Sequence, residues 1–188
     1  MRRVTVFNNI TLDGYFADAN GGIGWAHGAP NDPEYDAFVA ENARGGGVLL
    51  LGRVTYELMA SYWPTPLATQ QNPVVAERMS ALRKVVFSST LKEASWKNTT
   101  LVNGDVAAAV RKLKNEPGAD MAILGSGSIV SQLARAGLID EYQFVLNPVV
   151  LGQGRTMFDG VEETLNLKLT RTRAFANGKV LLCYAPTA

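Results

Sequence analysis

Three short segments of the chain combine glycine with hydroxyl or guanidinium side chains, each directly after a run of apolar residues. Residues 52–55 read Gly-Arg-Val-Thr, residues 88–89 are both serine, and residues 125–128 read Gly-Ser-Gly-Ser. Glycine lets a ligand approach the backbone, and the first amides of a helix bind anions. Hydroxyl groups add donors, and the planar fork of an arginine suits a phosphate. Together the segments predict a ligand that carries several phosphates.

Each segment alone also has a purely structural interpretation. Gly52 and Gly125 suit an ordinary strand-to-helix turn, and residues 88–89 suit a plain loop. Arg53 fits a solvent-exposed helix start poorly, because the positive end of the helix dipole disfavours a cation unless an anion is also bound. Residues 125–128 also match the first half of G-x-G-x-x-G, but the third glycine is absent and the segment lies late in the chain. We therefore reject an ordinary dinucleotide-binding βαβ unit.

The elements that must position these segments alternate along the chain, which indicates α/β layering. Strands are predicted at residues 3–10, 48–51, 84–88, 99–102, 121–124 and 141–146. The second and fifth of these are continuously apolar, as interior parallel strands are. Helices are predicted to begin near residues 31–33, just after Gly52, after Asp105 and at about Gly127. Glycines at 45–47, 118 and 137 are expected to end the first, third and fourth of them.

The last 25 or so residues follow a different pattern. Leucine alternates with polar residues over positions 165–169, and Asn177-Gly178 precedes an apolar run at 180–184. Asn-Gly between two such runs predicts an antiparallel hairpin. We therefore expect residues 1–188 to form a single domain, with a mostly parallel central sheet flanked by helices and an antiparallel C-terminal hairpin at one edge.

Composition excludes several classes of protein. The net charge of +1 gives no basic excess for nucleic acid, and no run of 18 apolar residues offers a membrane span. The single cysteine excludes an intrachain disulfide, and the single histidine excludes a multi-histidine metal site. No metal is expected, and the chain is interpreted as a cytoplasmic protein.

The three segments also resemble a known superfamily. Gly52-Arg53-x-Thr55 after one apolar strand, Ser88-Ser89 after the next, and Leu124-Gly125-x-Gly127 at a helix start are similar in order and spacing to the dihydrofolate reductases. Residues 11–15 (Thr-Leu-Asp-Gly-Tyr) and the late Leu-Gly-x-Gly at 151–154 are more similar to the branch that contains the reductase domain of riboflavin biosynthesis, the RibD C-terminal-like proteins. The resemblance implies a dihydrofolate reductase-like fold and NADPH as cofactor.

The resemblance also implies roles for residues of the three segments. Arg53 would lie near the 2′-phosphate, residues 88–89 at the adenosine end, and residues 125–129 at the pyrophosphate. The implied cofactor-binding residues are Gly52, Arg53, Thr55, Ser88, Ser89, Gly125, Ser126, Gly127, Ser128 and Ile129. Many dihydrofolate reductases carry a basic residue where Ser128 stands, so Arg53 is the main cation left for the 2′-phosphate. The preference for NADPH over NADH therefore stays open.

On the substrate side, two acids compete for a catalytic role. Asp36 falls at the place of the acidic residue in the first helix of dihydrofolate reductases, whereas Asp13 lies in the Asp-Gly turn of the riboflavin-type motif. Trp25 resembles the tryptophan of the mobile loop beside the nicotinamide, or is a core aromatic. Tyr56 and Trp63 flank the second helix and either line a substrate cleft or pack inward.

The leading hypothesis is an NADPH-dependent reductase that transfers hydride to a small heterocyclic substrate. A pterin- or folate-like substrate competes with a ribosylaminopyrimidine phosphate, which needs further cations, and Arg155 is a candidate for one. The alternatives are a non-catalytic NADPH-binding module and a phosphosugar-binding domain. The superfamily branch further implies a homodimer, with the C-terminal strands as the expected contact.

Overall fold

The computed structural model describes residues 1–44 and 47–187. The strands in this part of the chain are β1 (Val4–Thr11), β2 (Tyr15–Ala17), β3 (Val48–Gly52), β4 (Arg83–Phe87), β5 (Thr99–Val102), β6 (Met121–Leu124), β7 (Glu141–Asn147), β8 (Arg155–Thr156), β9 (Leu167–Ala174) and β10 (Val180–Pro186). The helices are α1 (Pro33–Arg44), α2 (Arg53–Tyr62), α3 (Pro66–Gln71), α4 (Pro73–Ala81), α5 (Val106–Asn115) and α6 (Gly127–Arg135), with a short 3-10 helix at Gly24–His27. No helix among the described residues combines the length and the hydropathy of a transmembrane span.

Eight strands form one central sheet in the order β5-β4-β3-β6-β1-β7-β10-β9. The first six run parallel, and β10 pairs antiparallel with both β7 and β9. The predicted α/β fold with a mostly parallel sheet and an antiparallel C-terminal hairpin is therefore confirmed. Helices α3 and α4 and the small β2–β8 pair were not predicted from the sequence, because these short elements lack a long periodic pattern.

Apolar side chains cover both faces of the sheet, which explains the unbroken apolar sequence of β3. Leu50 points into a buried cluster shared with α5 and α6, whereas Leu49 and Leu51 point into a second cluster that includes residues of α2 and α4. A third cluster joins α1 to the C-terminal hairpin through Phe38 and Phe175. This packing fixes the ends of the parallel strands relative to one another.

Side chains cap three of the helices in the described part of the chain. The carboxylate of Asp32 accepts hydrogen bonds from the Glu34 and Tyr35 amides at the start of α1, and Asp105 accepts one from the Ala108 amide, as predicted. Thr65 caps α3 in the same way.

The predicted helix ends have mixed outcomes. Gly137 follows α6 with a φ of +63°, as a terminating glycine does. Helix α5 ends at Asn115, before Gly118. Of the glycines predicted to end α1, residues 45 and 46 lie outside the described residues.

One lysine, Lys84, is fully buried beside the second cluster. The Lys84 ammonium donates to the carbonyl oxygens of Ser80, Leu82 and Lys97 at 2.7–3.3 Å, and it lies 4.1 Å from the centre of the Trp96 ring. Burial, with a smaller contribution from the charge of Lys97, lowers the pKa of Lys84 from 10.5 to about 8. The folded protein therefore releases this proton at lower pH than the unfolded chain does.

This lysine predicts a pH-dependent stability. Above about pH 8 the unfolded chain still binds the Lys84 proton and the folded chain has lost it, so the free energy of unfolding should rise with pH. Relative to a Lys84→Met variant, we expect a gain of about 1–2 kcal/mol between about pH 7.5 and pH 9.5. Urea denaturation at each pH measures this gain. The measurements stay below pH 10, because burial raises the pKa of Tyr142 to about 12. Above pH 10 the unfolded chain loses the Tyr142 proton first, so the free energy of unfolding falls with pH there. An equal rise in the variant would contradict the assignment.

Candidate functional site

The carboxyl ends of five neighbouring strands, β5, β4, β3, β6 and β1, open into one cleft. Its volume is about 1170 Å³. Four interstrand spacings of about 4.8 Å give it a span of roughly 19 Å along the sheet edge. In open α/β sheets ligands bind outside the carboxyl ends of the strands, and this span suits a ligand much longer than a single sugar phosphate.

The three segments singled out in the sequence meet in this cleft. Its lining includes each of the residues predicted to bind a cofactor: Gly52, Arg53, Thr55, Ser88, Ser89, Gly125, Ser126, Gly127, Ser128 and Ile129. They converge because β4, β3 and β6 are adjacent in the sheet although they are far apart in the sequence.

Two helices begin at the cleft with no side-chain cap. The N-cap residue of α2 is Gly52, which has no side chain, and the side chain of Ser126, the N-cap residue of α6, bonds no amide of that helix. In the described part of the chain, the amides of Gly127 and Ser128 have no acceptor. Helix α4 also lacks a side-chain cap, but it begins with a proline outside the cleft lining. The cleft therefore faces two helix ends whose free N–H groups and dipoles favour an anion.

Hydroxyl groups tie the ends of β3 and β6 together. The Gly52 amide donates to the Ser126 hydroxyl at 3.0 Å, and the Ser126 amide donates to the Thr55 hydroxyl at 3.0 Å. The Ser126 hydroxyl in turn donates to the Leu124 carbonyl at 2.9 Å. In this structure, therefore, Thr55 and Ser126 use their hydroxyls to hold the two strand ends in register.

Two glycines of this segment have no room for a side chain. Gly125 has a φ of +55°, and a Cβ there would lie 2.9 Å from the Thr55 hydroxyl oxygen. A Cβ on Gly127 would lie 2.9 Å from the ring of Phe16. The backbone at residues 125–127 is thus packed directly against its neighbours.

Asn8 of β1 holds residues 125–127 in place, a role that was not predicted from the sequence. The Gly125 amide donates to the Asn8 side-chain oxygen at 2.6 Å, and the Asn8 amide group donates back to the Gly125 carbonyl at 3.2 Å. Asn8 is only 6% exposed. The available indication was a polar pair, Asn8-Asn9, in the second half of an interior strand.

Arg53 lines the cleft but already has a partner. Its guanidinium forms an ion pair with Glu57, one turn along α2, at 2.9 Å between Nη1 and Oε2. Both side chains are about half exposed. The cation predicted to meet a phosphate is therefore neutralised in this structure by an acid of its own helix.

The structure does not bring the two predicted acids into the cleft. Asp13 is exposed, and its carboxylate accepts hydrogen bonds from the amides of Leu151 and Gly152. A hydrogen bond from Thr11, the largest contribution, and these two amides lower the pKa of Asp13. Asp36 is exposed on α1 and outside the lining. Matching a motif position does not fix which side of a helix or turn faces the ligand.

The two predicted aromatic contacts are also placed outside the lining. Tyr56 is 3% exposed, and its hydroxyl accepts the Trp96 amide at 3.0 Å in the second core cluster. It lies one turn along α2 from Arg53, on the face that packs against the sheet. Trp25 is half-buried in the 3-10 helix and outside the lining as well, whereas Trp63 does line the cleft.

The small β2–β8 pair contributes a further part of the cleft wall. Phe16 of β2 and Arg155 of β8 line it, and the Arg155 guanidinium lies close beside Gly21. Asp159 is the one carboxylate among the described lining residues, and Arg53 and Arg155 are the two arginines.

The sequence model of the RibD C-terminal domain family matches residues 2–181. Among curated proteins, the chain is 30% identical over 183 residues to the uncharacterized protein YyaP of Bacillus subtilis (strain 168), covering 97% of this chain and 94% of YyaP.

Solved structures show the same fold. Dihydrofolate reductase from Enterococcus faecalis, complexed with NADP(H), is 14% identical and superposes with a TM-score of 0.66 over 99% of this chain and 97% of the other. A diaminohydroxyphosphoribosylaminopyrimidine deaminase/5-amino-6-(5-phosphoribosylamino)uracil reductase from Thermotoga maritima is 18% identical, with a TM-score of 0.68 over 99% of this chain and 57% of the other. The predicted dihydrofolate reductase-like fold is confirmed.

Proposed function

The chain belongs to the RibD C-terminal domain family, and from this premise we propose that it is a reductase that takes NADPH and passes hydride to a small heterocyclic substrate. The observation that carries the proposal is the cleft across five strand ends, which faces two uncapped helix N-termini. A long ligand with several phosphates matches both the length and the positive character of this cleft.

The residues present fit such a cofactor. Gly125 and Gly127 let the backbone pack directly on Thr55 and Phe16, and the free amides of α6 at the cleft are available to a pyrophosphate. Ser88 and Ser89 line the cleft directly after Phe87, the last residue of β4 and the register partner of Gly52 in β3, and we assign them to the adenosine end. We propose that the ten cleft residues predicted from the sequence hold NADPH.

The cofactor supplies the hydride, and this chain supplies binding and orientation. Asn8, Thr55 and Ser126 fix the backbone of the strand ends, so the amides that meet the phosphates are pre-positioned. Phe16 and Trp63 offer apolar walls for a planar ring.

Two substrate classes remain within the proposal. The Enterococcus enzyme is named for dihydrofolate and the Thermotoga enzyme for a phosphoribosylaminouracil. A pterin- or folate-like ring needs mainly the apolar walls, whereas a ribosylaminopyrimidine phosphate also needs a cation. Arg155 is the cation proposed for that phosphate, because it lines the cleft and has no carboxylate partner among the described residues.

One observation favours a second candidate, a module that binds NADPH without turnover. Asp13 and Asp36 lie outside the cleft lining, which leaves exposed Asp159 as the single described carboxylate there. A reductase in this cleft takes its proton from Asp159 or from water, and without either it does not turn over.

The proposal is tested by binding and turnover of the same preparation. We expect added NADPH to quench the fluorescence of Trp63, which lines the cleft, with a Kd between about 1 μM and 1 mM. NADPH absorbance is then followed with a panel of pterins and ribosylaminopyrimidines. Trp63→Phe is the control that assigns the quenching to the cleft. Binding without oxidation on any substrate favours the non-catalytic module, and no binding at about 1 mM NADPH would overturn both candidates.

Three further features belong to the proposal. Strand β9 is an edge strand with Leu169 47% exposed, and an exposed edge of this length invites pairing. We propose that a homodimer covers it. A single domain over residues 1–188 and a cytoplasmic location complete the proposal.

A further inference from the structure

We propose that Glu57 determines how far the protein discriminates between NADPH and NADH, because its carboxylate competes with the cofactor's 2′-phosphate for Arg53. The inference rests on the proposed function, since it concerns the cofactor of that same cleft. It assigns a role to a residue that does not itself line the cleft.

The geometry places Glu57 as the counter-charge of Arg53. Arg53 is the first residue of α2, where the helix dipole disfavours a cation. Among residues 1–44 and 47–187, its ion-pair partner is Glu57, at 2.9 Å. The pair is half exposed, so it can open at small cost when a stronger anion arrives.

A 2′-phosphate and a 2′-hydroxyl meet this pair differently. The phosphate must either displace the Glu57 carboxylate from Arg53 or lie beside it, and like-charge repulsion then weakens binding. The hydroxyl of NADH requires neither change. Glu57 therefore weakens the binding of NADPH and leaves that of NADH untouched.

The other charges of the cleft do not compensate. Arg155, the second lining arginine, lies on β8 beside Gly21 rather than on α2, and Ser128 is uncharged. Discrimination for the 2′-phosphate thus depends on one cation that is already neutralised. We expect the wild-type protein to bind the two cofactors with affinities within about tenfold of each other.

The test compares Glu57→Gln with the wild-type protein. Dissociation constants are measured by tryptophan fluorescence and calorimetry for NADPH, NADH, adenosine 2′,5′-bisphosphate and AMP. We expect Glu57→Gln to bind NADPH and the bisphosphate about threefold to tenfold more tightly, with NADH and AMP unchanged. Glu34→Gln is the matched control, because Glu34 forms an exposed ion pair with Arg173 away from the cleft, and it should change neither affinity.

Arg53→Gln separates the inference from the proposed function. This variant should bind NADPH more weakly, with an affinity close to that for NADH. If it does so while Glu57→Gln leaves the NADPH/NADH ratio unchanged, or shifts both affinities equally, the role of Glu57 is overturned and the proposed function stands. If wild-type protein binds neither cofactor, the proposed function fails.

Discussion

Replacing Gly125 by alanine is expected to weaken NADPH binding by about tenfold or more and to lower the free energy of unfolding by about 1–3 kcal/mol. The backbone there has a φ of +55°, which a side chain strains, and the new Cβ would lie 2.9 Å from the Thr55 hydroxyl oxygen and 3.0 Å from its methyl carbon. Thr55 must move away, and the Ser126 amide then loses its acceptor. One methyl group therefore disturbs both strand ends that face the proposed pyrophosphate.

Gly137→Ala is the matched control for this variant. Gly137 also has a left-handed φ, +63°, but a Cβ there would meet nothing within 4 Å. Gly137 follows the C-terminal end of α6, whereas Gly125 precedes the N-terminal end of that helix. We expect the strain to lower the free energy of unfolding of Gly137→Ala by about 1 kcal/mol, and we expect this variant to keep its NADPH affinity. Equal loss of binding in both variants, or none in Gly125→Ala, would show that the contact with Thr55 does not shape the cleft.

Much of the fold followed from local pattern. Strands Thr99–Val102 and Met121–Leu124 match their predicted bounds, since each is a short run of β-branched or apolar residues that is bounded by turn residues. The hairpin followed from Asn177-Gly178. The short strands β2 and β8 were missed because each exists only through pairing with the other, residues 15–17 against 155–156, and such long-range pairing leaves no local periodicity.

The proposed cofactor-binding side of the cleft was more predictable from the sequence than the position of the candidate acids. Residues after parallel strands share one edge of the sheet, so the convergence of Gly52, Ser88 and Gly125 follows from topology alone. The acids do not follow from topology, because the orientation of Asp13 depends on a distant loop that supplies the amides of Leu151 and Gly152. The ion pair between Arg53 and Glu57 has the i, i+4 spacing of a helix and was accessible from the sequence.

Asn8 provides the second large expected effect, and it acts on the framework of the cleft. Replacing it by leucine is expected to lower the free energy of unfolding by about 1–3 kcal/mol, because the half-buried Gly125 amide and carbonyl both lose the partner that the buried Asn8 side chain provides. NADPH affinity should fall as well, since the Gly125 backbone is no longer held to β1. Urea denaturation measures the first effect and fluorescence titration the second.

The Asn8 prediction separates a framework residue from one that touches the ligand. Asn103→Ala is its control, because Asn103 also lines the cleft but is exposed and at the end of β5; it should leave stability within about 0.5 kcal/mol. If Asn8→Leu kept full stability while binding was lost, Asn8 would contact the cofactor directly. If it kept both, β1 would not fix the Gly125 backbone, and the pre-positioned amides would depend on the Thr55–Ser126 hydrogen bonds alone.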